Sequence, residues 1–369
     1  MQQSIYLGTR KGLFRLAPRG QRWEIERVWF EGDHVSMLLA DPRDGTLYAA
    51  LMHGHFGVKM QRSRDRGESW QEVPAPAFPP KPEGVEDCDG WGKPIPWTTQ
   101  QVWALEPGAA QQPGELWCGT IPGGLFHSSD AGDSWQLVES LWHLPERKLW
   151  MGGGADLPGI HSVCVHPQDS RRVLVAVSCG GCWLTEDAAQ SWRVRSQGMR
   201  AAFLPEGQQY DPISQDPHLV VQCPAQPEKL WCQHHNGIFR SIDEGASWQE
   251  IENVSPSVFG FAVAVHPHDG ERAWFVPGVK DEKRYPVDAQ LVVTRTYDGG
   301  KTFETLRTGL PQQHAYDVVY RHALAINSTG ESLAFGSTTG NCYTSHNSGD
   351  SWECVSEHLP PVYCIKFGA

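Results

Sequence analysis

The sequence predicts an all-β fold: a seven-bladed β-propeller of four-stranded antiparallel blades, its ring closed by a C-terminal strand joining the N-terminal blade. Three observations carry this. An eight-residue turn motif recurs six times, strand-like segments surround each copy in the same order, and the two ends of the chain hold complementary fragments of a seventh unit.

The motif is clearest in Ser63-Arg-Asp65-Arg-Gly67-Glu-Ser69-Trp70, Ser128-Ser-Asp130-Ala-Gly132-Asp-Ser134-Trp135 and Ser241-Ile-Asp243-Glu-Gly245-Ala-Ser247-Trp248. Weaker copies begin at Thr185, Thr296 and Ser345 and end at Trp192, Phe303 and Trp352. Chemically this is a hairpin turn. The Asp or Asn carboxyl or amide accepts from the N–H groups that follow it, Gly takes a positive φ, the hydroxyl closes the loop, and the aromatic residue opens the next strand and plugs the core. The pattern resembles the Asp-box, or BNR repeat, of sialidases, several glycoside hydrolases, sortilin-type receptors and photosystem II assembly factors. That resemblance implies the fold and says little about activity.

Each copy has the same flanks. A Gly-led aromatic strand precedes it (Gly124-Leu-Phe126, Gly237-Ile-Phe239), preceded in turn by a second strand and by an apolar strand ending at Pro42, Pro107, Pro167, Pro224 or Pro267. A sixth such strand, starting at His322, lacks the Pro. Four short strands per unit, recurring about every 55 residues, are the pattern of propeller blades. The N-terminal unit lacks its innermost strand and the C-terminal end is an orphan apolar strand, so the two join and leave no free edge. The whole chain, 1–369, is then one domain. Blade 1 comprises 1–30 plus 360–369, and blades 2 to 7 occupy 34–75, 99–140, 160–196, 217–253, 259–307 and 320–357.

Composition narrows the function classes. With 43 acidic and 31 basic residues, a net charge of -12 and no long Lys/Arg run, the chain has no electrostatic footprint for nucleic acid or an anionic membrane. No apolar stretch is long enough for a signal peptide or a membrane span, so the chain reads as cytoplasmic. Most of the ten Cys sit in strand contexts where they serve as small buried hydrophobes, and Cys179-Gly-Gly-Cys182 reads as a plain turn between strands.

The Asp-box turns share one face with the first hairpin of each blade. The opposite face carries the long connections 74–99, 139–160, 196–217 and 308–321, and long loops in an economical repeat point to function. Aligning the innermost strands by their terminal Pro places Ser36, Gln101, His161, His218, Phe261 and His322 at one level of the channel. Aligning the second strands adds Thr9, Thr120, Ser178, His234 and Ser337, then Arg10, Ile121, Cys179, His235 and Thr338, while blade 2 contributes His53 and His55. The candidate site is therefore His-rich. His161, His218 and His322 are the candidate catalytic groups, and with His234 they are the candidate ligands of a divalent transition metal. Arg10, Lys11, Gln101, His235 and Arg321 are candidate substrate-binding residues. His166 and His266 belong to the Asp-box face.

A glycoside hydrolase would need two carboxylates at a set separation. Asp33, Glu86, Asp87, Asp89, Asp156, Asp211, Asp216, Glu282 and Asp317 are available, with Trp91, Trp97, Trp142, Trp150, Tyr210, Tyr285 and Tyr316 as sugar-stacking or loop-fastening aromatics. Resemblance to sialidases would imply an early Arg-Ile-Pro segment and an Arg triad; the segment is absent, so sialidase activity is not expected. The sequence thus points to a hydrolase or lyase acting on a polar ligand, carbohydrate or anionic, at a His-rich channel mouth. The alternatives are a non-catalytic ligand- or protein-binding platform and a glycoside hydrolase with a loop carboxylate pair.

Overall fold

The computed structural model describes residues 4–20 and 22–368; residues 1–3, 21 and 369, assigned above to blade 1, lie outside the described residues. It contains seven four-stranded antiparallel sheets. In chain order the innermost strands, here called A, are Val362–Phe367 for blade 1, then His34–Ala40, Gln101–Pro107, Ile160–Val165, Pro217–Cys223, Gly260–His266 and Leu324–Ile326. Blade 1 closes the ring as expected: Val362–Phe367 pairs antiparallel with Ile5–Thr9, from Ile5 opposite Phe367 to Thr9 opposite Val362. The remaining strands of that blade are Gly12–Arg19 and Arg22–Trp29. Among the described residues helix is almost absent, the one α-helical turn being Glu139–Trp142 in a long loop.

The repeated turn forms by hydrogen bonds inside its own eight residues. In blade 5, Ser241 Oγ accepts the Gly245 N–H at 2.9 Å, while Asp243 accepts the Ser247 N–H at 2.9 Å and its hydroxyl at 2.6 Å. Four other copies repeat this scheme, and in blade 7 Asn347 replaces Asp, accepting the Ser351 N–H while its amide donates to the Ser351 hydroxyl. The Gly position has φ of 78° in Gly245, and Ala189 occupies it in blade 4 at 64°. Dense hydrogen bonding, led by the Ser hydroxyl, pulls the Asp65 and Asp187 carboxyls down to about 2.

The following Trp does more than plug its own blade. Trp135, Trp192 and Trp248 donate their indole N–H to Pro74, Ser140 and Arg195 at the end of the preceding blade, at 3.0, 3.1 and 2.8 Å. Each ring therefore fastens one blade to the one before it. The apolar cores lie between adjacent blades: Leu174, Cys182, Val220, Cys232 and Trp248, for instance, form one cluster joining blades 4 and 5. All ten Cys are free thiols, eight of them buried. Burial pushes the Cys164 thiol up to about 12, as suits an inert core residue.

Candidate functional site

Six of the seven A strands carry a β-bulge near the start, Leu324–Ile326 being the exception, and the bulge places the channel residues. In blade 4, Ile160 pairs with Val177 and Ser162 with Ala176, leaving His161 as the extra residue. In blade 5, Pro217 pairs with His234 and Leu219 with Gln233, leaving His218. Ser36 is skipped in blade 2 in the same way. In blade 3 the skipped residue is Trp103, not Gln101, because Val102 pairs with Thr120 and Ala104 with Gly119. This corrects the alignment by terminal Pro: a bulged residue makes no ladder bonds and turns its side chain toward the channel, so register decides the level. Gln101 still lines the cavity.

These residues form an aromatic rim. His161 meets Trp103 edge-on at 5.5 Å, His218 stacks on Phe261 at 4.5 Å, Phe261 meets Tyr320 at 5.4 Å, and Tyr320 stacks on Tyr363 at 6.4 Å. Inside lies an open cavity of about 190 Å³, walled by Ser36, Gln101, Trp103, Arg321, His322 and Tyr363 among others. Because its walls come from blades 1, 2, 3 and 7 and from the 139–160 loop, it is the mouth of the central channel.

Arg321 is the unusual group there. It is only 6% exposed, and its guanidinium lies 4.7 Å from the Trp103 ring centroid and 5.6 Å from that of Phe261. Among the described residues no carboxylate or carbonyl accepts from it, and Nε and Nη2 are buried without a partner. Burial pulls its pKa down to about 10, opposed by the charge of Asp216. Gly154 makes room for it: a Cβ there would stand 2.4 Å from Arg321 Nη2. Arg284 sits on the loop between Asp269–Pro277 and Val293–Thr296. It also lines the cavity, but pairs with Asp281 at 2.6 Å.

A second group lies on blade 5. Asp216 and His218 flank Pro217 where the strand Pro217–Cys223 begins, which brings both to the same strand end. Asp216 and His235 also join through the main chain, the His235 N–H donating to the Asp216 carbonyl at 3.0 Å. Asp216 Oδ2 stands 3.3 Å from His235 Nδ1 and 3.8 Å from His218 Nε2. Asp216 Oδ1 accepts the Cys179 N–H at 3.2 Å, and His218 Nδ1 donates to the Gly260 carbonyl at 2.7 Å. Burial drives His218 down to about 3, so it is neutral near pH 7 and its approach to Asp216 is not an ion pair. His235 is also pulled down by partial burial, but the hydrogen bond and charge of Asp216 outweigh this and raise its pKa. Asp216 itself is pushed up by burial and pulled further down by the imidazoles, so it stays ionised.

The other expected ligands are elsewhere. Among the described residues the one group with metal-ligand proximity is Asp216, His218 and His235. His234 is not a member: backbone N–H groups of Asp216 and Asn236 approach its two ring nitrogens at 3.0 and 3.2 Å. His161 bonds Ser162 Oγ through Nδ1, and its Nε2 is buried without a partner, as is His322 Nε2. His322 precedes its strand and accepts the Ile365 N–H on its carbonyl, so it joins the closing strand. Arg10 and Lys11 lie exposed on the turn between Ile5–Thr9 and Gly12–Arg19, the second and third strands of blade 1, outside the cavity lining. His53 lies 3.5 Å from Asp33, and His55 packs on Phe56.

Most of the loop carboxylates are engaged. Asp87 is buried against Arg147 at 2.6 Å and Trp97 at 2.8 Å; Asp89 holds the N–H groups of Trp91 and Lys93; Asp317 binds Ser337, Thr339 and Asn341. Asp211 accepts from Ser214, and Glu282 pairs with Lys280. Every carboxyl whose pKa is displaced is displaced downward, whereas a glycosidase acid needs the opposite. Trp142 and Trp150 are core residues, while Trp91, Tyr210 and Tyr316 are exposed. Of the second-strand hydroxyls, Thr9 Oγ1 donates to the Gly12 carbonyl and Thr120 Oγ1 to that of Pro122, within their own turns, while Ser178 Oγ accepts the Gly154 N–H of the 139–160 loop.

No protein-family profile matches the chain, and no curated protein matches it. Solved structures do. A GH74 xyloglucanase from Xanthomonas campestris aligns over 96% of this chain with TM-score 0.66 and 17% identity, though the chain spans only 52% of that protein. A periplasmic gluconolactonase from Pseudomonas aeruginosa aligns over 100% of this chain and 99% of its own, with TM-score 0.62 and 13% identity. YCF48 from Cyanidioschyzon merolae aligns over 94% and 89%, with TM-score 0.54 and 14% identity. At these identities the likeness shows the seven-bladed propeller fold and nothing finer.

Proposed function

We propose that this protein is an Asp-box propeller whose long-loop face binds a small anionic ligand, a carboxylate in the first instance, and acts on it as a hydrolase or lyase. The observation that carries this reading is Arg321. A buried guanidinium with no acceptor is costly to keep, because its lost hydration is not replaced. A ligand carboxylate offers the bidentate partner the fold omits. Asp216 orients His235 and raises its proton affinity, leaving His235 Nε2 free to take or give a proton. His322 and Gln101 line the cavity with hydrogen-bonding capacity, His161 stands behind Trp103, and Arg10 and Lys11 would meet an outlying charge on a larger ligand. The names gluconolactonase and xyloglucanase among the similar structures favour a hydrolase, and ten unpaired thiols favour a reducing compartment.

The test is a thermal-shift screen of small carboxylates, including aldonic and uronic acids, beside their neutral counterparts, with mass spectrometry of the hits for turnover. Carboxylates should raise the Tm and neutral analogues should not, and Arg321→Met should abolish the response. Equal responses to charged and neutral members would overturn the anionic reading.

A binding platform is the second reading, favoured by the exposed Trp91, Tyr210 and Tyr316 on the long loops and by a similar structure described as YCF48 bound to D1 peptide. Ligand binding without turnover would select it.

A further inference from the structure

We propose that Asp216, His218 and His235 form a binding site for a divalent transition metal, with two imidazoles and one carboxylate as ligands. Their donor atoms all lie within 4.8 Å of one another, and the two distances to Asp216 Oδ2 are 3.3 and 3.8 Å. Donors around a tetrahedral ion at about 2.1 Å stand about 3.4 Å apart, so small side-chain rotations close the site.

Three features of the surroundings suit a metal better than a plain polar cluster. First, His218 Nδ1 faces the Gly260 carbonyl at 2.7 Å; a carbonyl only accepts, so Nδ1 carries the proton and Nε2 presents its lone pair. That lone pair makes no hydrogen bond and faces the ionised Asp216 oxygen, an arrangement of two acceptors that a cation between them resolves. Second, the Cys179 N–H fixes the other oxygen of Asp216 at 3.2 Å, so that only the proton of His235 Nδ1 has to leave for Oδ2 to meet an ion. Third, Gly153 brings main chain against this group where a Cβ would stand 2.8 Å from Cys179 Sγ and 3.1 Å from Asp216 Oδ1, so the 139–160 loop closes over its rear.

His235, 24% exposed in its side chain, would coordinate through Nδ1 with its proton carried on Nε2, and forms the accessible side. Three protein ligands leave a coordination position open to water or to a ligand group. Imidazole and carboxylate donors without thiolate suit Zn, Fe, Mn or Ni. The site expected from the sequence took His161, His218, His322 and His234; only His218 carries over.

The inference shares Asp216 and His235 with the acid–base part of the anion reading, and a metal on Nδ1 would take the place of the Asp216 hydrogen bond and leave the proton on Nε2; it is independent of Arg321, since it concerns binding of the metal alone and needs no substrate. Full-length protein stripped with EDTA would be titrated with Zn²⁺ by calorimetry and with Co²⁺ by visible absorption. The expected result is one equivalent bound, with cobalt bands of low coordination number, and a loss of affinity of at least 100-fold in Asp216→Asn and His218→Ala. His235→Gln, at the partly exposed position where the fold is least disturbed, should weaken binding by at least tenfold, and His166→Gln at the far end of its strand should not. Absence of a stoichiometric site, or unchanged affinity in a folded His235→Gln protein, would overturn the proposal. Carboxylate-induced shifts lost in Arg321→Met but present in stripped protein would show the anion site standing without the metal.

Discussion

The Arg321 guanidinium lies over the Trp103 ring at the channel mouth, 4.7 Å from the indole centroid, with no acceptor for the buried Nε and Nη2. A cation–π contact of this kind contributes about 2 kcal/mol or somewhat more when desolvated, against a penalty of roughly several kcal/mol for each ion taken out of water without a partner. Arg321→Met should therefore raise the Tm by a few degrees, measured by calorimetry, while removing the response to carboxylates. Destabilisation with the ligand response intact would contradict the assignment of Arg321 as the anion anchor.

Gly154 sets the approach to the same side chain. In Gly154→Ala the new Cβ would meet Arg321 Nη2 at 2.4 Å and displace it. Affinity for the anionic ligand should fall about tenfold, equivalent to about 1.4 kcal/mol, whereas Zn²⁺ affinity should not change. Parallel titrations of the two ligands check this.

Acid should destabilise the fold through buried neutral histidines. Burial pulls His34 down to about 4 and His322 to about 3, and moves His161 well below its usual value. In the unfolded chain the same groups protonate near 6.5. Stability is then fully present above about pH 6.5 and declines as pH falls toward the folded values, by about 1.4 kcal/mol per pH unit for each extra proton the unfolded state holds. Urea midpoints at pH 7.5, 6 and 5 should fall in that order; a flat series would mean that these rings are hydrated in the folded state.

Asp87 separates stability from chemistry. It accepts from Arg147 and from the Trp97 indole inside the 74–99 loop, so Asp87→Ala strands a buried guanidinium at a cost of about 3–5 kcal/mol. A large fall in Tm is expected, with ligand affinity per folded molecule retained. Loss of binding in protein that remains folded would return Asp87 to the list of site carboxylates.

The repeated turn offers an internal control. Asp243→Ala removes the acceptor of the Ser247 N–H and hydroxyl, a loss of about 1 kcal/mol. Asp243→Asn should be milder, because Asn347 performs the same role in blade 7. Thermal melts of the two variants rank them, and equal losses would show that charge, rather than hydrogen-bond acceptance, holds the turn.

The sequence by itself determined the architecture. Ser241, Asp243, Gly245 and Ser247 satisfy one another within eight residues, so six copies could be read without knowing any distant neighbour, and the strand order and the closure through Val362–Phe367 followed from counting. His218, His235 and Arg321 were legible as candidates for the same reason, each lying next to a recognisable strand end. The tertiary structure decided what these residues do. Asp216 stood unmarked among nine loop acids until pairing across blade 5 set it against His235. A bulge, invisible to a Pro-anchored alignment, put Trp103 where Gln101 was expected. Trp142 and Trp150, loop aromatics in the sequence, became core, and the missing partner of Arg321 appears only once every blade around the channel is in place. A local hydrogen bond leaves its trace in residue spacing; a charge left unpaired at the meeting of several blades does not.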